Sequence, residues 1–315
     1  MNLDLAIKKT REIIRLRHLS NATEASYCGW LIRFARFVRE RCRDGSPEQK
    51  MEAFLTQLAK QGVSASTQNQ AFCALLFFYR EVLKVELGKV DSLRAKKPVF
   101  LRFAPEAHEV KALLAAVKDV AGYPTRLIVQ LIYGCGLRVC EPLNLRLKDL
   151  LFAESKIVIR GAKGGKDRFV SMPCSLVTEL RAQAEFARSV SEKDRLAALP
   201  VALPGLLAQK YPHWRFSPKW AFLFPAHESC EFRGAIVRYR CHEANVQRAV
   251  RAAARPLGLE ITPHHLRHAY GTHCMNRGAN PRAIQQAMGH SNLETTMGYL
   301  HAEPLGVESP LAFLA

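Results

Sequence analysis

The sequence has no apolar run long enough to cross a membrane as a helix. The longest run, from Ala71 to Tyr79, is short, whereas a spanning helix needs about 20 apolar residues. A signal peptide is missing as well, because the first twenty residues alternate charged with apolar side chains. These absences predict a cytoplasmic protein without a membrane as partner.

Acidic residues are scarce. The chain has 28 Asp and Glu against 46 Lys and Arg, a formal net charge of +18 over 315 residues. The basic residues are spread along the chain rather than gathered in one tail, which favours a polyanionic partner. With 48% hydrophobic and 23% charged residues, the composition is that of a folded globular protein and excludes extensive disorder.

Closely spaced cysteine pairs are absent too. The nine cysteines show no CxxC spacing, which argues against both a disulfide framework and a zinc ribbon. Most of them occur in apolar helical contexts, so we expect reduced core thiols in a cytosolic protein.

The helical spacing of apolar residues over residues 5–88 predicts a compact all-helical domain, which we place at residues 1–90. Its second helix carries Arg33 and Arg36 away from the apolar stripe. In so basic a chain, such a face is either solvated surface or a contact for phosphates. Residues 91–104, with Lys96 and Lys97, show no clear period and predict a basic linker, either a plain connection or a segment that lets two domains close around a duplex.

Residues 105–315 form the second predicted domain, which combines helices with a small antiparallel sheet. Alternating or β-branched patterns predict strands at residues 147–151, 156–160 and 168–172, a short buried strand at 221–224 and a helix at 239–254. The glycine-rich turn between the second and third strands carries Lys163 and Lys166, which could approach a phosphate backbone. It is not a Walker loop, because it lacks the spacing and the Ser or Thr after lysine.

An irregular, proline-containing insertion is predicted at about residues 190–220. His213, Trp214 and Trp220 occur there among basic residues. Aromatic side chains beside cations stack on unpaired bases. The alternative is a locally packed surface insertion, and composition alone favours it.

The stretch from Thr262 to His301 concentrates reactive side chains: His264, Arg267, His290 and Tyr299. Thr262 and Pro263 predict a helix start, where a phosphate is favoured near His264 and Arg267. A cation, two imidazoles and a phenol suit attack by oxygen on a phosphate better than acyl transfer or metal hydrolysis. His264 and His268, at i and i+4, leave a metal site as the alternative, although HExxH is absent and no carboxylate completes the site.

A further arginine follows two glycines in Gly134-Cys135-Gly136-Leu137-Arg138. Taken alone, this is either a simple helix C-cap or a turn that delivers Arg138 to a cleft. Together with the lysine hairpin and the C-terminal stretch, it resembles the tyrosine recombinases, whose pattern is an Arg in a GLR turn, a Lys in a hairpin, HxxR, a GH pair and a C-terminal Tyr. The matching residues are Arg138, Lys163, His264, Arg267, His290 and Tyr299. Within that family, RLRHLSNATEASYCGW, SASTQNQAFCALLFFYREVL and ALPVALPGLLAQKYPHWRFSPKWAFLF resemble segments of integron integrases.

The resemblance implies a SAM-like helical core-binding domain followed by a mainly helical catalytic domain with a small antiparallel sheet, the DNA breaking-rejoining fold. Tyr299 would attack the scissile phosphate, leaving a 3′-phosphotyrosine and a free 5′-hydroxyl, as in type IB topoisomerase chemistry, with no cofactor. Arg138 and Arg267 would hold the non-bridging oxygens. Lys163 would protonate the leaving oxygen. His264 and His290, also catalytic, would assist proton transfer and hydrogen-bond the phosphate. Glu141 would be a supporting residue beside Arg138.

The implied partner is DNA. An integron integrase exchanges gene cassettes between a duplex attachment site and a folded single-stranded site, as a homotetramer on DNA and a monomer or dimer in isolation. The alternatives are a chromosome-resolution or transposon recombinase acting on duplex sites and a non-catalytic DNA-binding regulator. Residues expected to contact DNA are Arg33, Arg36, Lys96, Lys97, Lys166, His213, Trp214 and Trp220.

Overall fold

The computed structural model describes residues 2–17, 19, 21–88, 90, 104–161 and 167–289. The chain divides into two compact units, Met1–Phe100 and Leu101–Ala315. The predicted linker, apart from its last residue, lies outside the described residues, and so do Lys96 and Lys97. Among the described helices, none combines the length and the apolar character that a membrane span requires.

The first unit is helical, as predicted. Its described elements are α1 (Leu3–Leu16), α2 (Asn21–Arg41), α3 (Pro47–Lys60), α4 (Ala65–Phe77) and a π-helical turn (Phe78–Val82). Helix α3 begins with Ser46 capping its first turn and Pro47 in its first position. Apolar side chains of α2, α3 and α4 form one core, in which Phe34 meets Phe54 and Tyr79 edge-on.

The second unit combines helices with antiparallel sheets. Its helices are α5 (Ala107–Ala116), α6 (Thr125–Gly134), α7 (Cys140–Leu143), α8 (Val177–Leu196), α9 (Leu207–Lys210), α10 (Glu243–Ala254), α11 (Pro263–Asn276) and α12 (Pro281–Met288). Short 3₁₀ turns lie at Leu147–Asp149, Phe152–Glu154, Cys174–Leu176, Pro212–Phe216, Pro218–Trp220 and Arg255–Leu257.

The predicted three-stranded sheet is present, but its first strand is shorter than predicted, because residues 147–149 form a 3₁₀ turn. It consists of β1 (Leu150–Leu151), β2 (Lys156–Ile159) and β3 (Arg168–Ser171), paired antiparallel in the order β1-β2-β3. In β3 the inward positions are Arg168 and Val170, whereas Phe169 and Ser171 are exposed. The turn between β2 and β3, with Lys163 and Lys166, lies outside the described residues.

A second sheet corrects the sequence prediction for residues 221–254. Strands β4 (Pro225–Phe232) and β5 (Ala235–Arg240) form a hairpin, closed by Arg233 and Gly234, both of which have positive φ, as a type I′ turn requires. Residues 221–224 contain only an isolated bridge between Phe222 and Arg146. The helix begins at Glu243, not at residue 239. The hairpin escapes prediction because β4 is mostly exposed and therefore lacks the alternation of apolar and polar residues.

Helix α6 lies at the centre of the second unit's core. Its residues from Leu127 to Ile132 are almost all fully buried, and α10 and α11 pack against it. A helix that is apolar on nearly every face must be surrounded by others. The turn that follows α6 therefore starts inside the protein and is held on several sides.

Candidate active site

A tight turn after α6 brings Arg138 to the site. Gly136 has φ +62°, and a Cβ there would lie 2.4 Å from the ring of Tyr270. The Leu137 N–H closes the turn by donating to the Ile132 carbonyl at 3.0 Å. Only glycine fits this position, because a side chain would be strained by the backbone and blocked by the ring. The turn therefore fits both interpretations that the sequence left open. It is the C-terminal cap of α6, and it also delivers Arg138 to the site.

Glu141 holds Arg138 at two points. One carboxylate oxygen accepts the Arg138 backbone N–H at 2.8 Å, and the other accepts a guanidinium N–H at 2.9 Å. The other terminal nitrogen of Arg138 donates to the Gly289 carbonyl at 3.2 Å. The Arg138 side chain keeps 31% of its surface exposed, against 9% for Glu141. Arg138 is therefore ordered and still accessible.

Helix α11 supplies Arg267 from within the core. The helix starts as predicted, with Thr262 as N-cap and Pro263 in first position. Arg267 is 3% exposed and donates to the carbonyls of Gly136 and Met288, each at 2.6 Å. Its guanidinium also lies 3.7 Å from the Glu141 carboxylate.

Arg168 is a third arginine at this site, and the sequence reading missed it. Its two terminal nitrogens donate to the two Glu141 oxygens at 3.0 and 2.7 Å, and its Nε donates to the Ala287 carbonyl at 2.6 Å. A signal was available, because period-two alternation in β3 places Arg168 on the same inward face as Val170. An arginine on a buried strand face requires a charged partner.

The three arginines together hold the C-terminal end of α12. The last carbonyls of this segment, Ala287, Met288 and Gly289, each accept from a different arginine. These groups would otherwise lack partners at a helix end, where the helix dipole also favours positive charge. Gly289, with φ +63°, terminates the helix in the left-handed conformation. We call this group the arginine cluster; it consists of Arg138, Glu141, Arg168 and Arg267. The arginine cluster thus fixes the residue that precedes His290 in the chain.

The arginine cluster keeps Glu141 ionised. Burial on its own would raise the pKa of the Glu141 carboxyl, but the hydrogen bonds and charge of Arg168, helped by Arg138 and Arg267, bring that pKa below its usual value. Among the described residues, three guanidinium groups surround this one carboxylate. The cluster therefore carries two net positive charges, which suits an anionic ligand.

His264 lies one turn before Arg267 on α11 and is exposed. Its Nε2 is 2.8 Å from Nε2 of His268, so one ring donates and the other accepts, and the tautomers differ at these atoms. The metal alternative receives no further ligand in the part of the chain that the structure describes, since no group of three His, Cys, Asp or Glu side chains there is arranged to hold an ion.

The aromatic insertion packs against itself. Trp214 stacks on Tyr211 and on Trp220, with ring centroids 4.1 and 5.2 Å apart, and the Lys148 ammonium lies 2.9 Å from the centroid of the Trp220 ring. Arg146 donates to the carbonyls of Trp220 and Ala202. His213 is exposed at the edge of the stack. This packing matches the locally packed alternative, and the rings of His213 and Phe216 are exposed at its surface.

The remaining predicted site residues fall into two groups. Arg33 and Arg36 are exposed on α2 of the first unit, where the Arg33 guanidinium lies 4.8 Å from the centroid of the Trp30 ring. The residues outside the described part of the chain are Lys96, Lys97, Lys163, Lys166, His290 and Tyr299. The structure thus brings Arg138, Glu141 and Arg267 together.

Comparison with known proteins gives a consistent result over nearly the whole chain. Residues 105–305 match the phage integrase family, and residues 7–89 match the N-terminal SAM-like domain of phage integrases. An integrase/recombinase of Escherichia coli is 38% identical over 97% of this chain and 92% of its own. Tyrosine recombinase XerA of Thermococcus kodakarensis is 34% identical over 78% of this chain and 74% of its own. The Tn1549 transposon integrase, solved with transposon right end DNA, has the same fold, with a TM-score of 0.65, 17% identity and 98% of each chain covered.

Proposed function

Because the chain belongs to the phage integrase family of tyrosine recombinases, we propose that it cleaves and rejoins DNA strands through a 3′-phosphotyrosine on Tyr299. The observation that carries this proposal is the arginine cluster. It assembles, from α6–α7, β3 and α11, a site with two net positive charges beside the exposed His264. A phosphate under attack by a nucleophile gains negative charge in the transition state, and a positively charged site stabilises it.

In the proposed step the Tyr299 oxygen forms a bond to the scissile phosphorus, and the bond to the 5′-oxygen breaks. The tyrosine proton leaves through the histidines, and Lys163 donates a proton to the departing 5′-oxygen. Attack by a partner strand's 5′-hydroxyl reverses the step, so the number of phosphodiester bonds is conserved. At neutral pH, ionising a tyrosine of ordinary pKa costs roughly 4 kcal/mol, and the arginines offset this by stabilising the charge that develops on the phosphate.

The arginines have different access to that phosphate. Arg138 is partly exposed, whereas Arg267 is 3% exposed, with both terminal nitrogens on neutral carbonyls. Because both carbonyls are neutral, these hydrogen bonds leave Arg267 its positive charge. Direct contact of Arg267 with phosphate therefore requires that DNA binding uncover it.

A basic surface next to His264 supports DNA as the substrate. An open hollow there is lined by Arg251 and Arg255, both exposed, at the C-terminal end of α10. With the exposed Arg248 they follow a helical stripe. Such a stripe neutralises phosphates along a duplex without reading its sequence.

Covalent trapping tests the reaction. Nicked suicide duplexes tiled over the DNA that flanks the coding region are incubated with the full chain, and adducts are resolved under denaturing conditions. We expect an adduct with the unaltered chain and with Tyr27→Phe, which removes a phenol in the first unit, but none with Tyr299→Phe. If the Tyr299→Phe chain forms the adduct, or the unaltered chain forms none, the proposal is wrong.

The substrate is proposed to include a folded single-stranded site, as for an integron integrase assembled as a tetramer on two sites. The support is the sequence resemblance and the exposed His213 beside the aromatic stack. His213→Ala is expected to reduce trapping on a hairpin substrate more than on the matched duplex. His108→Ala, which alters an exposed histidine on α5, serves as control. Equal losses on both substrates would refute the role of His213.

A second candidate is a recombinase of duplex sites only. The XerA relative, 34% identical over 78% of this chain, and the self-packed aromatic insertion favour it. The same trapping assay decides between the two, because this candidate gives adducts with duplexes and none with hairpins. Cross-linking on paired duplexes tests whether four chains assemble there.

A further inference from the structure

The Arg168–Glu141 pair has a geometry that the proposed chemistry does not yet explain. Both terminal nitrogens of Arg168 are directed at the carboxylate, at 3.0 and 2.7 Å. The Arg138 side chain places only one nitrogen on it, and Arg267 approaches no closer than 3.7 Å. Bidentate pairing is the strongest arginine–carboxylate geometry. The charge of Glu141 is therefore balanced mainly by Arg168.

From this geometry we propose that Arg168 is a positioning residue that neutralises Glu141, so that Arg138 and Arg267 keep their positive charge for the scissile phosphate. The inference rests on the proposed function, because it assigns the arginine cluster to a phosphate. Arg168 itself is assigned no phosphate contact, because both of its terminal nitrogens donate to the charged Glu141, whereas those of Arg267 donate to neutral carbonyls.

Burial makes this balance matter. The side chains of Arg168 and Glu141 are 10% and 9% exposed, so water screens their charges poorly. Without Arg168, the described cluster would hold two guanidinium groups and one carboxylate, and its net charge would fall from two to one. A buried carboxylate that loses its partner is also costly. It would draw on Arg138, whose guanidinium it already touches at 2.9 Å.

Neutralisation can be separated from simple packing by a pair of substitutions. Arg168→Met removes the compensating cation, and Glu141→Gln removes the anion that needs compensation. The double variant R168M/E141Q leaves the charges of Arg138 and Arg267 unopposed. Charge compensation therefore predicts that the second substitution rescues the first, whereas a packing role predicts that two losses accumulate.

The decisive measurement is single-turnover adduct formation by the full chain on the nicked suicide duplex at saturating DNA. Arg168→Met is expected to slow the step by roughly 10- to 100-fold. R168M/E141Q is expected to recover at least about 10-fold of that loss. The rate of adduct formation by Glu141→Gln alone is the reference for the rate of the double variant. Arg168→Lys, which keeps the charge, is expected to lose less than Arg168→Met. A double variant as slow as Arg168→Met overturns the proposal.

A neutral scissile group gives a second test. A methylphosphonate at the cleavage position carries no charge and needs less compensation, so the loss caused by Arg168→Met is expected to shrink on it. An equal loss on both substrates means a packing role and contradicts the inference. Arg195→Met, with and without Glu192→Gln, is the matched control, because that pair lies on the exposed face of α8. Both control variants are expected to stay within about twofold of the unaltered chain.

Urea unfolding of the same variants tests the inference independently of activity. Glu141→Gln is expected to raise the unfolding midpoint of Arg168→Met, because it removes an uncompensated buried charge. If the midpoint stays or falls, the inference is wrong even where the adduct forms. If the unaltered chain forms no adduct while the midpoints behave as expected, the proposed reaction fails and the charge compensation stands.

Discussion

The arginines on α2 of the first unit and those of the arginine cluster in the second unit serve different purposes. On α2 of the first unit, Arg33, Arg36 and Arg39 are exposed. In the second unit, Arg168 and Arg267 are almost fully buried, and Arg138 is held by Glu141. Exposed arginines add to a long-range field and tolerate change. Buried arginines fix the geometry of their neighbours, so they are sensitive to substitution. The same residue type therefore gives opposite expectations on α2 and in the arginine cluster.

The turn glycine should show the largest difference. Gly136→Ala is expected to destabilise the chain by about 2 to 5 kcal/mol, because the left-handed backbone and the contact with the Tyr270 ring both oppose a side chain. Gly62 has a similar φ of +72°, but a Cβ there meets no described atom within 4 Å, so Gly62→Ala should cost about 1 to 2 kcal/mol. Urea unfolding measures both. Equal losses would mean that the ring contact does not matter.

Replacement of arginine by lysine should show the next largest difference between the arginine cluster and α2. Arg267→Lys cannot donate to Gly136 and Met288 together, and we expect a loss of about 1.5 to 3 kcal/mol in the free energy of unfolding. Arg36→Lys, on the exposed face of α2, should change it by less than about 0.5 kcal/mol. Thermal denaturation of the two variants side by side is the measurement. If Arg267→Lys leaves the free energy of unfolding unchanged, the buried arginines do not have the geometric role proposed for them.

Acid should weaken the arginine cluster through Glu141. Because the Glu141 pKa lies below its usual value in the folded chain, the folded state binds this proton less readily than the unfolded state does. The stabilisation is fully present above about pH 5, where the unfolded state is also ionised, and is lost progressively as the pH falls through the lowered pKa of the folded chain. Urea midpoints at about pH 7 and about pH 3 should differ less in Glu141→Gln than in the unaltered chain. Glu228→Gln, at an exposed site on β4, should leave the difference as it is.

The exposed arginines should have the smallest effect on stability and a measurable one on binding. Arg36→Gln is expected to change the free energy of unfolding by less than about 0.5 kcal/mol. If Arg36 contacts a phosphate, the slope of the logarithm of duplex affinity against the logarithm of salt concentration should fall by about 0.9. Fluorescence anisotropy over a salt series measures the slope, with Glu40→Gln as control. An unchanged slope would make this face of α2 solvated surface.

The sequence was most informative where local rules decide the outcome. The helix start at Thr262 and Pro263 and the three-stranded sheet follow from capping residues and periodicity. The catalytic assignments of Lys163, His290 and Tyr299, which lie outside the described residues, remain predictions. So does the division of the chain at residues 90 and 104.

Long-range partners account for what was missed. The alternation of β3 indicates that Arg168 needs a charged partner. It does not indicate that this partner is Glu141, 27 positions earlier in the chain. The β4–β5 hairpin was missed because β4 is mostly exposed and carries no apolar alternation, although the Arg233-Gly234 pair is a turn signal.

The end of α12 has a consequence for how the protein matures. Its carbonyls are bound by arginines that lie 151, 119 and 21 positions away in the chain. Contacts between such distant segments form late in folding, since the loops between them must close first. Gly289, the residue before His290, is therefore held in place only after α6, β3 and α11 have assembled. A newly made or partly unfolded chain lacks this anchor, so under the proposed function it would not cleave DNA before these segments have come together.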